Sequence, residues 1–114
     1  MSELYDVAAI GNAIVDVIAP ADDAFLTDLA LDKGAMMLVD EARSALLYDR
    51  MAAGVETSGG SAGNTIAGIA SLGGRAAYLG KVAKDQLGDV FRHDMRAIGA
   101  HFDTPPLIGG PSTA

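Results

Sequence analysis

The sequence contains no cysteine and no tryptophan, and aromatic residues make up only 5% of its 114 residues. Without cysteine, a disulfide scaffold, a thiol nucleophile and a thiolate metal site are all excluded, and the composition fits a reducing compartment. Eight basic residues stand against fifteen acidic ones, a net charge of -7. No Lys/Arg cluster is present, so we expect no nucleic-acid partner. Neither His93 nor His101 has metal-ligand spacing such as H-E-x-x-H, and no metal site is predicted.

Long hydrophobic runs are also missing. The longest stretch without charge, residues 57–74, is rich in Gly, Ser, Thr and Asn, and these polar groups make it unsuited to a bilayer. Residues 1–6 lack the basic segment and the apolar core of a signal peptide. We therefore expect a cytoplasmic protein that does not contact a membrane.

Half of the residues are apolar, which is enough to bury a core. Short β-prone runs alternate with segments of helical spacing, and this alternation predicts an α/β fold with parallel strands. The first run, which ends at Gly11, has the pattern of a buried strand. The predicted strands are 7–11, 14–18, 36–39 and 76–82. The predicted helices start after Asp22-Asp23, after Asp40, at Thr65 and at Asp85, and end near Gly34, Gly54, Leu72 and Gly99.

The glycine-rich segment Gly59–Asn64 is the main candidate for a binding site. Glycines let a backbone approach a ligand closely, and the helix that follows offers free N–H groups at its start. A tight turn packed against a neighbouring strand explains the same residues equally well, so both interpretations stay open.

Asp16 and Asn12 are the next candidates. A carboxylate inside the apolar run 14–18 is costly unless it has partners, although an exposed side chain on an edge strand is the simpler explanation. Asn12 follows the first strand, where α/β proteins place ligand contacts, but it can equally be a turn residue.

Standard nucleotide-binding motifs are absent from the sequence. The segment Gly74–Val82 has one residue too many between its glycines for a P-loop, and Val82 stands where a Ser or Thr is required. Gly11 has no glycine two residues later, so the dinucleotide pattern G-x-G-x-x-G is missing.

Three segments together resemble the amino-terminal part of the ribokinase-like, or PfkB, family of carbohydrate and nucleoside kinases. Gly11–Asp16 is similar to the family's first-strand motif, Gly59–Asn64 to its di-glycine motif, and Gly80–Gly88 to its G-x-V-G-x-D-x-x-G segment. The three segments occur in the same order as in the family, and their residues are most similar to those of adenosine kinase-like members. Ala83 departs from the pattern, because the family usually has Gly there.

The resemblance implies a fold. Members of the family have a three-layer α/β/α architecture with a small β-lid that closes over the sugar. The chain would then be the N-terminal part of one kinase domain, residues 1–114, without a second domain. Segments 12–20, 35–40 and 55–60 would form the lid, and lid strands have edges through which a homodimer can form.

The resemblance also implies a function, the ATP-dependent phosphorylation of a hydroxyl on a sugar or nucleoside. This chain would supply the substrate-binding half, with Asp16 and Asn64 contacting sugar hydroxyls. The catalytic base and most of the ATP and Mg²⁺ sites would lie in a carboxyl-terminal part that is absent here, so the fragment alone is expected to be inactive. The implied substrate-binding residues are Asn12, Asp16, Gly59, Gly60, Ser61 and Asn64.

Two other functions remain open on the sequence. One is a non-catalytic α/β module that binds a ligand or a protein partner. The other is a phosphate-binding protein that uses the helix start after Gly59-Gly60. The lack of any Lys or Arg between Met51 and Gly74 argues against the second.

Overall fold

A computed structural model describes residues 4–110 and residue 113. The chain divides into two compact units, one built from residues up to Asp16 together with those from Glu56 onward, the other from Val17–Val55. The assignment of residues 1–114 to one domain stays a prediction. The elements are β1 (Val7–Ile10), β2 (Ile14–Ile18), α1 (Asp23–Asp28), α2 (Glu41–Arg50), β3 (Val55–Gly59), α3 (Ser61–Ser71), β4 (Ala76–Leu79) and α4 (Gln86–Ala97).

The first unit is organised around a parallel pair of strands. β1 and β4 pair in parallel, with Val7 beside Ala76 and Ile10 beside Leu79. His101 continues the pairing on the other edge of β4, because the N–H of Tyr78 donates to its carbonyl at 2.9 Å. β2 and β3 form a second, two-stranded sheet. The α/β class with parallel pairing that the alternation predicted is therefore confirmed.

The core of this unit is a small aromatic cluster. The rings of Tyr78, Phe91 and Phe102 lie 5.3–5.8 Å apart in tilted and edge-to-face arrangements. Ile66 of α3 and Met95 of α4 are fully buried with them. Phe91 and Met95 are four residues apart and so share one face of α4. This face is the apolar stripe of the helix.

Aspartates begin three of the helices, as the sequence predicts. Asp22, Asp40 and Asp85 each accept a hydrogen bond from a backbone N–H three residues later, at 2.7–2.9 Å. Such a cap satisfies one of the N–H groups that a helix start leaves without a partner. No helix in the described ranges is long and apolar enough to cross a membrane.

Two predictions for the second unit are wrong. Residues 36–39 form no strand, and their side chains are exposed, Met36 by 84% and Leu38 by 88%. The apolar run 36–39 is therefore not a packed strand in this unit. The first helix ends at Asp28, well before Gly34, because the chain turns at Leu29 and Ala30 takes a φ of 55°.

The predicted boundaries also change in the first unit. α3 begins at Ser61, four residues before the predicted start, since Gly60 turns the chain with a φ of 84°. β4 ends at Leu79 where the sequence predicted Val82. β1 is not the buried strand that its sequence suggests, because Ile10 is 80% exposed. Parallel strands become buried only when other elements cover both faces.

Candidate functional site

An open cleft of ≈ 960 Å³ lies at the carboxyl ends of β1 and β4. Ligands of α/β proteins bind outside the carboxyl ends of parallel strands, so the position is the expected one. Asn12, which the sequence singled out, lines this cleft and is exposed. The lining is formed by residues 10–14 and 79–83 with Thr104, Leu107 and Thr113.

Two glycines allow the strand ends to approach each other here. A Cβ on Gly80 would lie 2.6 Å from Cε1 of Tyr78 and 2.9 Å from the carbonyl oxygen of Gly11. A Cβ on Gly11 would lie 2.8 Å from Cβ of Ala62. Any side chain at either position would push these elements apart. The close approach explains why both residues are glycine without invoking a ligand.

Tyr78 lies beneath these glycines and was not singled out by the sequence analysis. Its side chain is fully buried, and its hydroxyl has no hydrogen-bond partner within the described part of the chain. Burial raises the pKa of Tyr78, because the phenolate would lose its hydration. The hydroxyl therefore stays neutral and belongs to the packed core beneath the cleft.

Asp16 and Gly59 are brought together by β2 and β3. A Cβ on Gly59 would lie 2.5 Å from Oδ2 and 2.8 Å from Oδ1 of Asp16, so the carboxylate rests against the bare Cα of the glycine. Gly59 is buried, whereas Asp16 is exposed. Among residues 4–110 and 113, no hydrogen bond or ion pair occupies this carboxylate. Its oxygens are free to accept hydrogen bonds from a ligand.

The turn at Gly60 links Gly59, at the end of β3, to the start of α3. Gly60 has a φ of 84°, and a Cβ on it would lie 3.1 Å from the carbonyl oxygen of Asn12. Gly60 has no side chain, so within the described residues no side-chain hydrogen bond caps the start of α3. Ser61 and Asn64 occupy the first turn and are exposed, and the N–H of Asn64 donates to the carbonyl of Gly60 at 2.8 Å.

The six candidates thus fall into two geometric groups. Asp16 lies against Gly59, and the Asn12 backbone lies against Gly60, which leads into Ser61 and Asn64. The groups come from two separate segments of the chain, which the pairing of β2 with β3 brings together just before α3 begins. Contact of any of these residues with a ligand stays a prediction.

Asp85 and Thr113 form a second polar cluster at the edge of the cleft. Oδ1 of Asp85 accepts from the N–H of Gly88 and from the hydroxyl of Thr113, both at 2.7 Å, and Oδ2 accepts from the N–H of Thr113 at 2.9 Å. The Thr113 hydroxyl also accepts from the N–H of Ala83 at 2.9 Å. Sequence reasoning found the helix cap but missed Thr113, which is 28 residues away.

The Asp85 cluster makes stability depend on pH. Burial alone would raise the pKa of Asp85, but the hydrogen bonds from Thr113 and Gly88 outweigh it and hold the pKa below its usual value. The Asp85 carboxylate therefore stabilises the folded state at pH values above the unfolded pKa of about 3.9. This stabilisation is lost as the pH falls through the lower pKa of the folded state.

We expect Asp85→Ala to cost about 1–2 kcal/mol in the free energy of unfolding at pH 7. Urea titrations of both proteins at pH 7 and pH 3 measure the difference. The difference in unfolding free energy should narrow at pH 3, because the wild type loses part of this contribution once the pH falls below the unfolded pKa. An equal gap at the two pH values would contradict the role given to the carboxylate.

The described residues contain no candidate metal site of acidic or histidine side chains. No group of three His, Asp or Glu side chains converges in them as a metal would need. Lys81 is the one basic residue among the described residues that line the cleft. The two histidines are near aspartates, His93 by Asp94 and His101 by Asp103, at 3.4–3.5 Å.

Known proteins match this chain in sequence and in structure. The family model described as pfkB family carbohydrate kinase matches residues 6–103. Adenosine kinase 2 of Arabidopsis thaliana is 27% identical over 108 residues, an alignment that covers 88% of this chain and 31% of that protein.

Two solved structures are more similar still. The adenosine kinase from Sinorhizobium meliloti is 64% identical, with a TM-score of 0.78, and the match covers 96% of this chain and 33% of that one. The probable sugar kinase from Rhizobium etli CFN 42 is 56% identical, with the same TM-score of 0.78 and the same two coverages.

These likenesses confirm the ribokinase-like α/β fold that the resemblance implied, present here as its N-terminal portion. The chain spans about a third of the length of the relatives that it matches. Because the family model matches most of its residues, from Asp6 to Asp103, the chain belongs to the pfkB family of carbohydrate kinases.

Proposed function

We propose that this chain forms the acceptor-binding part of an ATP-dependent kinase that phosphorylates a hydroxyl of adenosine or of a related nucleoside. The observation that carries the proposal is the carboxylate of Asp16, exposed and without a protein partner in the described residues, which lies against the backbone of Gly59. Two relatives are adenosine kinases by name, which favours a nucleoside as the acceptor.

The chemistry of the carboxylate suits a polyhydroxyl ligand. Two oxygens that accept from two neighbouring hydroxyls give charge-assisted hydrogen bonds, which are stronger than neutral ones. Gly59 offers no side chain, so a sugar ring could lie directly on the backbone beside Asp16. Asn64 on the first turn of α3 would add a third polar contact, and Asn12 and Ser61 would border it.

This chain would contribute positioning to the reaction. Phosphoryl transfer depends mainly on alignment and on stabilisation of charge, and a held sugar keeps its acceptor hydroxyl in one place. The phosphoryl group would come from ATP as co-substrate with Mg²⁺. In the same proposal, residues outside this chain supply the base that takes the proton from the acceptor hydroxyl.

The two-stranded sheet of β2 and β3 is proposed as the lid. Its closure over the acceptor would exclude water and so favour transfer to the hydroxyl over hydrolysis of ATP. Its unpaired strand edges are the surfaces through which two copies could pair. Action in the cytoplasm is part of the same proposal.

A sugar is the second candidate acceptor. One structure that is 56% identical carries the name probable sugar kinase, and the Asp16 carboxylate would recognise vicinal hydroxyls of a free sugar in the same way. The base of a nucleoside would then contribute nothing to binding.

The test uses the gene product that carries these residues. It is incubated with ATP and Mg²⁺ and with adenosine, ribose or fructose, and ADP formation and the mass of the product are measured. We expect phosphorylation of adenosine well above that of the free sugars. A preference for ribose or fructose would reassign the acceptor. Binding of adenosine without any turnover would instead support a non-catalytic module.

A further inference from the structure

The start of the di-glycine turn is held by a side chain from a distant helix. Oδ2 of Asp94 in α4 accepts a hydrogen bond from the backbone N–H of Ser58 at 2.8 Å, across 36 residues of sequence. Ser58 directly precedes Gly59, against which the Asp16 carboxylate lies. A change in the position of Ser58 would therefore move the backbone that supports this carboxylate.

The same face of α4 also holds the far side of the turn. A Cβ on Gly63 would lie 3.5 Å from Cε of Met95 and 3.7 Å from the ring of Phe91, so the start of α3 packs directly on these two side chains. Positions 91, 94 and 95 are three and four apart and lie on one helix face. One rigid face thus fixes the residue before the two glycines and the first turn after them.

The two contacts differ in chemistry. Phe91 and Met95 are fully buried and belong to the core, so they hold α3 by ordinary packing. Asp94 is half-buried, with 29% of its side chain exposed, and its other oxygen lies 3.5 Å from His93 Nδ1. A strand edge offers N–H groups without partners, and a carboxylate that accepts one of them forms a charge-assisted bond.

We propose that Asp94 is a positioning residue for acceptor binding, which acts through Ser58 on the geometry of Asp16 and Gly59. The inference rests on the proposed kinase function and extends it to a residue outside the three family-like segments. Asp94 touches no reacting atom. Its removal should loosen the acceptor site and leave the rest of the enzyme unchanged.

The test compares Asp94→Ala with Asp94→Asn in the whole gene product. Alanine removes the acceptor of the Ser58 N–H, and the KM for adenosine should rise about tenfold, the size expected for one lost hydrogen bond to a charged group. The kcat and the KM for ATP should stay within about twofold of the wild type. Asparagine keeps an acceptor oxygen in the same place and should restore most of the affinity.

Asp89→Ala is the matched control, because Asp89 is an exposed acid on the same helix. It removes the same charge and should leave the KM for adenosine unchanged. Amide hydrogen exchange gives a readout independent of turnover, since protection of the Ser58 and Gly59 amides should fall in Asp94→Ala only. Alanine is a good helix former, so the variant should fold, and its melting temperature checks this.

The outcomes separate the two proposals. A wild type that phosphorylates none of the acceptors would overturn the proposed function and, with it, the role of Asp94. An active wild type whose Asp94→Ala variant keeps its KM for adenosine would overturn the role of Asp94 alone. A fall in kcat with an unchanged KM would also overturn it, because a purely structural role lowers the amount of active enzyme.

Discussion

Replacing Asp16 with alanine should raise the KM for the nucleoside acceptor about 100-fold, the loss of about 3 kcal/mol that two hydrogen bonds to a charged group represent. The carboxylate is exposed and has no hydrogen bond within the described residues, so its removal leaves no protein group without a partner. Folding should therefore be unaffected, and steady-state kinetics with adenosine as the varied substrate measure the effect directly.

Two variants calibrate this result. Asp16→Asn keeps the shape and one acceptor oxygen and should give an intermediate KM. Asp49→Ala removes the same charge from an exposed position on α2 and should give wild-type kinetics. If the KM for adenosine were the same in Asp16→Ala as in the wild type, Asp16 would be the exposed strand residue that the simpler interpretation of the sequence predicts.

Gly59→Ala is expected to have the other large effect. The added Cβ would lie 2.5 Å from Oδ2 and 2.7 Å from Cγ of Asp16, closer than side-chain contacts allow, so the carboxylate must move away. Asp16 is exposed and its carboxylate is the far end of a flexible side chain, so this shift should cost little stability. We expect the KM for adenosine to rise more than about tenfold, since the displaced carboxylate no longer faces the acceptor.

Gly68→Ala gives the matched control for this substitution. Gly68 lies inside α3, and a Cβ there would have no atom within 4 Å. The same chemical change should therefore raise the free energy of unfolding by about 0.5–1 kcal/mol, because alanine is the better helix former. Urea titration and adenosine kinetics on both variants complete the comparison. Wild-type affinity in Gly59→Ala would show that the acceptor site tolerates a shifted Asp16.

Local signals in the sequence identified most elements and several of their ends. The three capping aspartates, Asp22, Asp40 and Asp85, begin helices as predicted, because capping needs only residues three positions apart. Gly99 ends α4 with a φ of 85° for an equally local reason. Boundaries failed where the chain turned without such a signal, as at Leu29.

The candidate site was predictable only in part. Asp16, Asn12 and the glycines stood out because a carboxylate in an apolar run and a glycine-rich turn are visible along the chain. Asp94 did not stand out, because its partner Ser58 lies 36 residues earlier in the sequence. Thr113 was missed for the same reason.

The sequence alone determined the α/β class, the order of the elements and the family, because hydrophobic period, caps and short motifs are all read along the chain. Tertiary structure alone decided that the Asp16 carboxylate rests on Gly59, and that α4 contacts both Ser58 and Gly63 on the two sides of the di-glycine turn. Contacts between segments far apart in sequence depend on packing in three dimensions, and no local pattern encodes them.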